Sequence, residues 1–405
     1  MAKISAGNEG RRPFDGLRVI DLTHVLAGPF CTYQLALLGA ETIKIESPTD
    51  NDIVRESGPR LEDNRRLMGT SYLTQNANKR SLTLDLKTRE GQEVLRRLAE
   101  TADVLVENYR VGALAGLGLG YDDLRKINPR LIYCSMTGFG QEGPFAARNS
   151  YDQVIQAMSG IMSVTGTPQT GPLRAGPPIV DYATGLAGAL AVSAALFHRE
   201  KTGEGQRVDC SMFDVGLTLS ASLITSVLAS GTAPGLRGND IDQAGVSGFE
   251  TAEGVVMLGA FNRRQHRRFW DAMGRADLSE YDSLELQGVH RDLLDREFRT
   301  LMKTRTAAEW EEMFNSIGVP AGRVRTLPEA LALEQVGHRG MLHRFERIDG
   351  VDGPVTVPMA PFKLEKGTPR IDTPPPRFGA DTDPILAEIG YDASQIASLR
   401  STGVV

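Results

Sequence analysis

The feature that most constrains the fold is an alternation of strand and helix patterns in the first half of the chain. Residues 17–22 have the aliphatic character of a strand, residues 27–38 form a helical pattern, and residues 41–46 predict a second strand. Further strand patterns, with helical segments among them, lie at 81–86, 103–107, 131–136 and 206–211. Strand–helix–strand units build parallel pairs of strands. The sequence therefore predicts an α/β fold, a doubly wound domain around a parallel sheet.

The length of the chain and a change of pattern past its middle indicate two domains. The 405 residues exceed the ~250–300 at which a single hydrophobic core stops growing. Residues 231–247 predict a linker, because they are rich in Gly, Asn and Asp. Beyond them we expect a hairpin at 249–261 and helices at 264–273, 291–302 and 307–317. We predict a larger domain of residues 1–230 and 327–405, closed by a helix at 383–399, and a smaller α+β domain of residues 231–326.

Composition and charge exclude several classes of function. The formal net charge of −6 favours neither nucleic-acid binding nor binding to a membrane surface. The histidines form no metal-binding pair, and the three cysteines, Cys31, Cys134 and Cys210, have no metal-ligand spacing and fit a reducing compartment. Residues 1–12 are polar and lack the apolar stretch of a signal peptide. We expect a cytoplasmic protein that binds no metal, no nucleic acid and no membrane.

Asp181 is the one carboxylate at the start of an apolar stretch. Sixteen residues without another charge follow it, as far as Phe197, and they predict a buried helix. The stretch is too short, and too rich in Ala and Gly, to favour a membrane span. Asp is a favoured helix cap, which is the simpler interpretation of Asp181. A carboxylate oriented at a helix N-terminus and shielded from bulk water also suits a nucleophile, and this residue alone leaves both interpretations open.

Two segments combine cationic and amide side chains next to predicted strands. Residues 76–81 precede a strand, and residues 107–112 follow one. Ligands of open α/β sheets bind outside the carboxyl ends of the strands, which is where Arg110 is expected, and a phosphate is a natural partner for its guanidinium. Each segment alone is equally typical of a surface turn. Together with a buried carboxylate, they indicate an anionic cofactor lying across the sheet.

A third basic segment, 263–268, contains four arginines and His266. A solvated helix face explains it most simply. The alternative is contact with an anion, and Arg264 is then a candidate to hold the distal carboxylate of a substrate.

Taken in chain order, short segments along nearly the whole sequence resemble the class III CoA-transferase family (the CaiB/BaiF type), which includes formyl-CoA, carnitine and dicarboxylate CoA-transferases. The matching segments are 21–29, 43–46, 78–81, 106–110, 138–140, 151–152, 159–160, 181–185, 202–206 and 360–362. The resemblance implies a Rossmann-like large domain made from both chain ends, a small domain, and an interlocked homodimer.

The resemblance also implies an activity and a nucleophile. Asp181 matches the family's catalytic aspartate, whose carboxylate attacks an acyl-CoA thioester and passes CoA between carboxylic acids through covalent intermediates. The donor is expected to be an acyl-CoA such as succinyl-CoA, and the acceptor a small carboxylic or dicarboxylic acid. Backbone N–H groups at the helix start are expected to stabilise the oxyanions. By the same match, the residues expected to contact coenzyme A are His24, Val25, Leu26, Lys79, Arg80, Asn108, Arg110 and Tyr151.

The sequence departs from parts of the family pattern. No glycine-rich loop is found in the second domain, and Leu26 stands where formyl-CoA transferase has a glutamine. Both departures argue against specificity for oxalate and formyl-CoA.

Two other functions remain as alternatives. The related 2-methylacyl-CoA racemases use a histidine followed by aspartate as a base, whereas this chain has Tyr151-Asp152, and tyrosine is a poor base at neutral pH. A non-catalytic CoA-binding protein is the second alternative, against which stands the cost of an idle charge at Asp181 in apolar surroundings. The sequence favours the transferase.

Overall fold

The computed structural model describes residues 10–241, 243–260 and 262–405. Most of the polar N-terminal segment 1–12 and Phe261, at the end of the predicted hairpin, lie outside the described residues. The chain forms two compact units. The larger one contains the residues up to Met162, Arg174–Ala233 and Gly337–Val405, and the smaller one contains Ser163–Leu173 and Pro234–Val336.

The strands along the described chain are β1 (Arg18–Leu22), β2 (Glu41–Glu46), β3 (Lys79–Thr83), β4 (Val104–Glu107), β5 (Ile132–Thr137), β6 (Gly166–Thr167), β7 (Gly171–Pro172), β8 (Arg207–Ser211), β9 (Val246–Glu250), β10 (Val255–Gly259), β11 (Ala321–Arg323), β12 (Leu342–Phe345) and β13 (Val355–Pro358). The helices are α1 (Ala27–Leu37), α2 (Leu61–Arg65), α3 (Thr70–Leu73), α4 (Arg89–Thr101), α5 (Ala113–Gly116), α6 (Tyr121–Ile127), α7 (Asp152–Met158), α8 (Ile179–Thr202), α9 (Met212–Leu219), α10 (Ala221–Ser230), α11 (Arg263–Ala272), α12 (Ala276–Ser279), α13 (Leu284–Val289), α14 (Arg291–Met302), α15 (Ala307–Ser316), α16 (Leu327–Leu331), α17 (Glu334–Arg339), α18 (Thr382–Glu388) and α19 (Ala393–Ser401), with 3₁₀ turns at Ile53–Glu56 and Ile161–Val164.

A six-stranded parallel sheet forms the centre of the larger unit. Its strand order is β3-β2-β1-β4-β5-β8, and each neighbouring pair is parallel. The predicted α/β class with a parallel sheet is therefore confirmed. The order reverses between β1 and β4, because β2 and β3 extend to one side and β5 and β8 to the other. Such a switch point opens a crevice outside the carboxyl ends of the two strands, and ligands of open α/β sheets bind there.

Helix α8 packs on the sheet and on α1 through small and aliphatic residues. Its inner face buries Val192, Ala195 and Leu196 among the aliphatic side chains of β4 and β5. Burying each of the larger aliphatic side chains contributes roughly 1.5–3 kcal/mol. Gly188 faces Cys31 of α1 and Met136 of β5 closely enough that a Cβ would lie within 3.2 Å of both side chains. The middle of α8 is thereby held closely against α1 and the sheet.

By length and composition alone, α8 is apolar enough to cross a membrane, and so are α9 and α10 if the two, bent by 72° at Ser220, are counted as one span. The sequence had suggested a stretch too short for this. The helix in fact runs for 24 residues, because it continues through the charged residues before Gly203.

The C-terminal residues complete the larger unit next to β3. Asp381 donates its N–H to the Ser81 carbonyl oxygen at 2.9 Å, and the Ser81 N–H donates to the Asp381 carboxylate at 2.9 Å. Ile385 and Leu386 of α18 join the same hydrophobic core as Leu82. The single closing helix predicted at 383–399 is wrong. The segment is two helices, since the chain turns at Gly390, whose φ of +90° favours glycine.

The smaller unit combines an antiparallel sheet, in the order β11-β10-β9, with helices. Its core is aromatic and is built from Phe249, Phe269, Trp270, Phe298, Trp310 and Phe314. The hairpin of β9 and β10 agrees with the predicted one, and the Thr306–Glu309 capping box that begins α15 is present.

The bounds of this unit differ from the predicted 231–326 at both ends. At the C-terminal end the unit extends to Val336. Helix α16 is joined to it by an ion pair of 3.1 Å between Glu329 and Arg323 of β11. The hairpin of β6 and β7 belongs to it too, because Gly238 donates its N–H to the Gly166 carbonyl oxygen at 2.6 Å.

Candidate active site

A cleft of about 330 Å³ opens at the switch point between β1 and β4. The loops that follow β1, β4 and β5 line it, together with the first turn of α8. It brings together seven of the residues predicted from the sequence: His24, Val25, Leu26, Asn108, Arg110, Tyr151 and Asp181. Residues as far apart in sequence as His24 and Asp181 therefore meet at one point, because the strand order reverses there.

The loop after β1 is held in a strained conformation. Val25 has a φ of +68°, which is unfavourable for a β-branched residue. The Val25 N–H donates to the Asp52 carboxylate at 3.0 Å, and the Gln75 side-chain amide donates to the Val25 carbonyl oxygen at 2.8 Å. Asn108 holds the neighbouring residue, because its amide exchanges two hydrogen bonds of 2.8 Å with the backbone of His24. Such strain persists only where surrounding contacts fix it, and it is concentrated at functional sites.

Two buried ion pairs hold the residues on either side of this loop. Lys79 Nζ contacts Asp21 at 2.9 Å and also donates to the Pro29 carbonyl oxygen and to the Thr32 hydroxyl oxygen. Lys44 Nζ donates to the Thr23 carbonyl oxygen at 2.8 Å and pairs with Asp52 at 3.0 Å. Burial alone would raise the pKa of Asp21, but the Lys79 and Lys44 ammonium groups outweigh it and lower this pKa to about 2.

The structure does not bring the predicted CoA contacts Lys79 and Arg80 to the cleft. The side chain of Lys79 is fully buried and all its recorded contacts are internal. Arg80 lies near the amino end of β3, where its guanidinium pairs with Glu41 at 2.7 Å and with Glu388 at 2.8 Å. A ligand bound outside the carboxyl ends of the strands lies at the other end of the strands from Arg80. The basic pair is thus explained by internal ion pairs.

Asp181 lies in the first turn of α8, and its carboxylate lines the cleft. Within the described chain, no hydrogen bond to this carboxylate is recorded. Burial and the neighbouring Asp152 carboxylate raise the pKa of Asp181 to about 7. A carboxylate without donors, partly removed from water, is the arrangement expected of a nucleophile or of a proton-transfer group.

The interpretation of Asp181 as the helix cap is wrong. Pro178 is the N-cap residue of α8, and the acceptor for the first turn comes from α7: the Asp152 carboxylate accepts the N–H of Val180 at 2.8 Å and that of Asp181 at 3.1 Å. The N–H groups of Ile179 and Tyr182 are also engaged, with the carbonyl oxygens of residues 177 and 178. The start of α8 therefore has no free N–H group for an oxyanion, contrary to the expectation from the sequence.

Free donors lie instead at the start of α1. Over the described part of the chain, no acceptor is recorded for the N–H groups of Leu26, Ala27 and Gly28. Leu26 and Ala27 line the cleft together with Asp181. Unsatisfied N–H groups at a helix start attract negative charge.

Arg148 is a cleft residue that the sequence did not single out. It lies in the loop between β5 and α7, with its guanidinium 3.8 Å from the centre of the Phe145 ring. Arg110 and Arg148 are the two cationic side chains that line the cleft within the described chain. The available signal was a lone arginine shortly before the Tyr151-Asp152 pair, which is too weak to identify a site.

His24 and the basic segment 263–268 contribute differently from what charge alone suggests. Burial, and then the Lys44 charge, lower the pKa of His24, so its imidazole is neutral at neutral pH. Its ring packs edge-on against Tyr109, with 5.1 Å between the ring centres.

In the smaller unit, Arg263 and Arg264 are exposed, whereas Arg267 pairs with Asp282 at 2.6 Å. Among the described residues, no group of three His, Cys, Asp or Glu side chains is arranged to hold a metal ion.

Comparison with known proteins agrees with this fold and cleft. Residues 14–382 match the family model of CoA-transferase family III. The chain is 37% identical over 396 residues to a succinate–glutarate CoA-transferase of Agrobacterium fabrum, covering 93% of this chain and 96% of that protein. It is 34% identical over 405 residues to the human succinyl-CoA:glutarate CoA-transferase, covering 97% and 90%. The crystal structure of a CAIB/BAIF family protein from Brucella suis matches with a TM-score of 0.80 and 33% identity, covering 94% of this chain and 100% of that one.

The fold, the cleft and these matches define an enzyme that acts on CoA thioesters. The chain belongs to CoA-transferase family III, of the CaiB/BaiF type. The family predicted from the sequence is confirmed, and so is the class of enzyme.

Proposed function

We propose that this CoA-transferase moves CoA from succinyl-CoA to a second dicarboxylic acid, with glutarate as the first candidate acceptor, and that Asp181 carries the covalent intermediates. The names of the Agrobacterium and human relatives support the two acids. The observation that carries the proposal is the Asp181 carboxylate, which lines the cleft without a recorded donor and has a pKa raised to about 7 by burial and by Asp152.

The reaction is a series of acyl exchanges at this carboxylate. Asp181 attacks the thioester carbonyl of succinyl-CoA, the C–S bond breaks, and CoA leaves as a thiolate from a mixed anhydride. The thiolate then attacks the aspartyl carbonyl, which releases succinate and leaves a thioester on Asp181. The carboxylate of the acceptor attacks that thioester, the C–S bond breaks, and a second mixed anhydride forms. The thiolate then attacks the acceptor's carbonyl carbon, and the anhydride C–O bond breaks to release Asp181 as a free carboxylate. Each step exchanges one acyl bond for another, so the reaction needs no oxidant and no net proton.

The surroundings of the cleft support this chemistry. The free N–H groups of Leu26, Ala27 and Gly28 are the donors proposed for the tetrahedral oxyanions, because those of α8 are engaged. The pKa of Asp181, raised to about 7, leaves the ionised form accessible at neutral pH, and because burial removes part of its solvation this form is reactive. Arg110 is proposed to pair with the phosphates of CoA, with further contacts from His24, Val25, Leu26, Asn108 and Tyr151.

We assign the distal carboxylate of the dicarboxylic substrate to Arg148. It is the second cation lining the cleft, and its guanidinium is oriented by stacking on Phe145. Arginine binds carboxylates in a planar, bidentate geometry, which discriminates a dicarboxylic acid from a monocarboxylic acid of the same length.

The assembly is proposed to be a homodimer that works in the cytoplasm. Helix α8 exposes Leu190 at 71% and Phe197 at 64%, and α10 exposes Leu228 at 82%. Leu190 and Phe197 are two helical turns apart and lie on the same face of α8. An exposed apolar helix face marks an interface, and a second copy of this chain is the proposed occupant. The three unpaired cysteines support a reducing location. Light scattering that gives the mass of a single chain would overturn the dimer.

The experiment that tests the function is a mass-spectrometric assay in D₂O. The protein is incubated with succinyl-CoA and with glutarate or other small carboxylates, and with a chiral 2-methylacyl-CoA in a parallel sample. A glutaryl thioester without deuterium at the α-carbon supports the transferase. Deuterium in the methylacyl-CoA, with no new thioester, identifies a racemase instead.

The covalent step has its own readout. Incubation with succinyl-CoA alone is expected to leave CoA attached to the peptide that contains Asp181. Asp181→Asn removes both this adduct and turnover. Unmodified peptide together with full turnover would show that transfer proceeds without an aspartyl intermediate.

A further inference from the structure

Asp152 holds the helical turn that contains Asp181. One oxygen of its carboxylate, Oδ2, accepts both backbone N–H groups of that turn, from Val180 at 2.8 Å and from Asp181 at 3.1 Å. We propose that Asp152 is a positioning residue of the transferase site, which fixes the backbone of Asp181 and sets the electrostatic environment of its carboxylate. This inference rests on the proposed role of Asp181.

Asp152 and Gln156 of α7 together hold the segment 175–181 that leads into α8, and we call these two residues the clamp. The second oxygen of Asp152, Oδ1, accepts a hydrogen bond from the side-chain amide of Gln156, one turn further along α7. The same amide's oxygen accepts the N–H of Ala175 at 2.9 Å, in the segment that leads to α8. Asp152 is 5% exposed and Gln156 is fully buried, so both side chains are committed to these contacts. Two residues of α7 thus hold residues 175–181 at both ends.

The clamp places two carboxylates next to each other, and only one of them has donors. Asp152 accepts three hydrogen bonds, whereas none is recorded to Asp181 in the described chain. The charge of Asp152 therefore adds to burial in raising the pKa of Asp181. Other ionisable groups lie on the elements packed around Asp181: Tyr182 in the first turn of α8, Asp214 on α9, Cys31 and Tyr33 on α1, Tyr133 and Cys134 on β5, Arg207, Asp209 and Cys210 on β8, and His24, Tyr109, Arg110, Arg148 and Tyr151 along the cleft. Beside burial, Asp152 is the group that shifts the pKa.

The arrangement has a measurable consequence for pH dependence. Attack requires the ionised form of Asp181, so kcat/KM for succinyl-CoA rises with pH through the pKa of the free enzyme, near 7. Asp152→Asn removes the negative charge but keeps an oxygen that can accept a backbone N–H. We expect its acidic limb to move to lower pH by about one unit. Asp152→Ala removes the acceptor as well, and its kcat is expected to fall roughly tenfold to a hundredfold with KM for acyl-CoA within about twofold.

The control is Glu200→Gln, which removes an exposed carboxylate from the far end of α8. Glu200 lies nineteen positions further along the helix than Asp181, about 28 Å away, and this distance exceeds the screening length of physiological salt. Its pH profile is expected to match that of the unaltered protein. Asp152→Glu serves as the conservative variant, because it restores the charge but displaces the acceptor, and its limb is expected to stay near pH 7 while kcat falls.

Infrared difference spectroscopy measures the titration without relying on activity. The carboxylic acid band that is lost in Asp181→Asn identifies Asp181, and its titration is followed in the unaltered protein, Asp152→Asn and Glu200→Gln. A lower titration midpoint in Asp152→Asn alone supports the inference. An unchanged midpoint and an unchanged kinetic limb in a folded Asp152→Asn variant would overturn it. If the midpoint moves while Asp181→Asn still transfers CoA, Asp152 does set the electrostatic environment of Asp181, but the proposed nucleophile is wrong and the positioning role of Asp152 in transfer falls with it.

Discussion

Gly185 lies against the backbone of Ala27: a Cβ on Gly185 would be 2.8 Å from the Ala27 carbonyl oxygen. The two residues belong to the helices whose first turns both line the cleft, α8 with Asp181 and α1 with its free N–H groups. The close approach of α8 to α1 at this point therefore requires a residue without a Cβ.

Gly185→Ala is expected to push α8 away from α1. Overpacking against backbone costs roughly 1–3 kcal/mol of unfolding free energy, and a displaced nucleophile lowers kcat more than it raises KM. Urea denaturation and steady-state kinetics measure both effects. Gly288→Ala is the control, since that glycine lies within α13 with no atom near its Cβ position, and it is expected to be neutral or slightly stabilising. Equal behaviour of the two variants would contradict the packing argument.

Lys79→Met and Arg80→Ala separate internal support from ligand binding. Lys79→Met leaves Asp21 charged and unpaired in the interior, so a loss of about 3–5 kcal/mol in unfolding free energy is expected. Arg80→Ala breaks partly exposed ion pairs and is expected to cost about 1 kcal/mol or less.

Arg80→Ala also tests one of the CoA contacts inferred from the sequence. Because Arg80 does not line the cleft, KM for succinyl-CoA is expected to stay unchanged in Arg80→Ala. Arg110→Ala is the positive control and is expected to raise this KM about tenfold, the value of a lost charged contact to phosphate. A large increase in KM for Arg80→Ala would restore Arg80 to the binding site.

Arg148→Ala is expected to weaken binding of the dicarboxylic acceptor specifically. KM for glutarate should rise roughly tenfold or more, whereas KM for a monocarboxylic acid of similar length should change little, because only the dicarboxylic acid loses an ionic partner. Arg264→Ala is the competing variant, since the basic segment 263–268 was the candidate from the sequence. An increase for Arg264→Ala and none for Arg148→Ala would transfer the role to the smaller unit.

Asp181→Asn is expected to stabilise the protein at alkaline pH. The pKa of Asp181 is raised from 3.8 to about 7, so the folded state binds this proton more tightly than the unfolded chain. The resulting stabilisation is fully present below pH 4 and is lost as the pH rises through 7. The asparagine variant avoids this loss and should gain about 2 kcal/mol at pH 8, a value reduced for partial exposure to water. Urea denaturation at pH 5 and pH 8 measures it, and an equal difference at the two pH values would exclude the raised pKa.

The sequence predicted those parts of the fold and site that depend on local pattern. The alternation of strands and helices predicted the parallel sheet. Residues that follow strands, such as His24 and Asn108, were placed correctly at the carboxyl ends of the strands, because all strands of a parallel sheet run in the same direction. The burial of Lys79 could not be predicted, since the side chain of a residue at the start of a strand can reach internal carboxylates that no local pattern reveals.

The support of Asp181 was also hidden from the sequence. Asp152 was noticed only as part of a pair that differs from the racemase pattern, and its contact with the turn of Asp181 spans 29 residues. Hydrogen bonds between a side chain and a distant backbone depend on how two helices pack, and that packing is decided by the whole core. The same reason explains why the free donors were expected on α8 and lie on α1.

The division of the larger unit has a consequence for biosynthesis. Strand β3 forms one edge of the parallel sheet, and α18, which covers it, follows the entire smaller unit along the chain. A growing polypeptide therefore leaves this edge open while residues 234–336 are being synthesised, and an open edge strand is a template for pairing with other chains. Ribosome-bound chains that stop before α18 should be the species most dependent on chaperones, and closing the edge becomes a late, post-translational event.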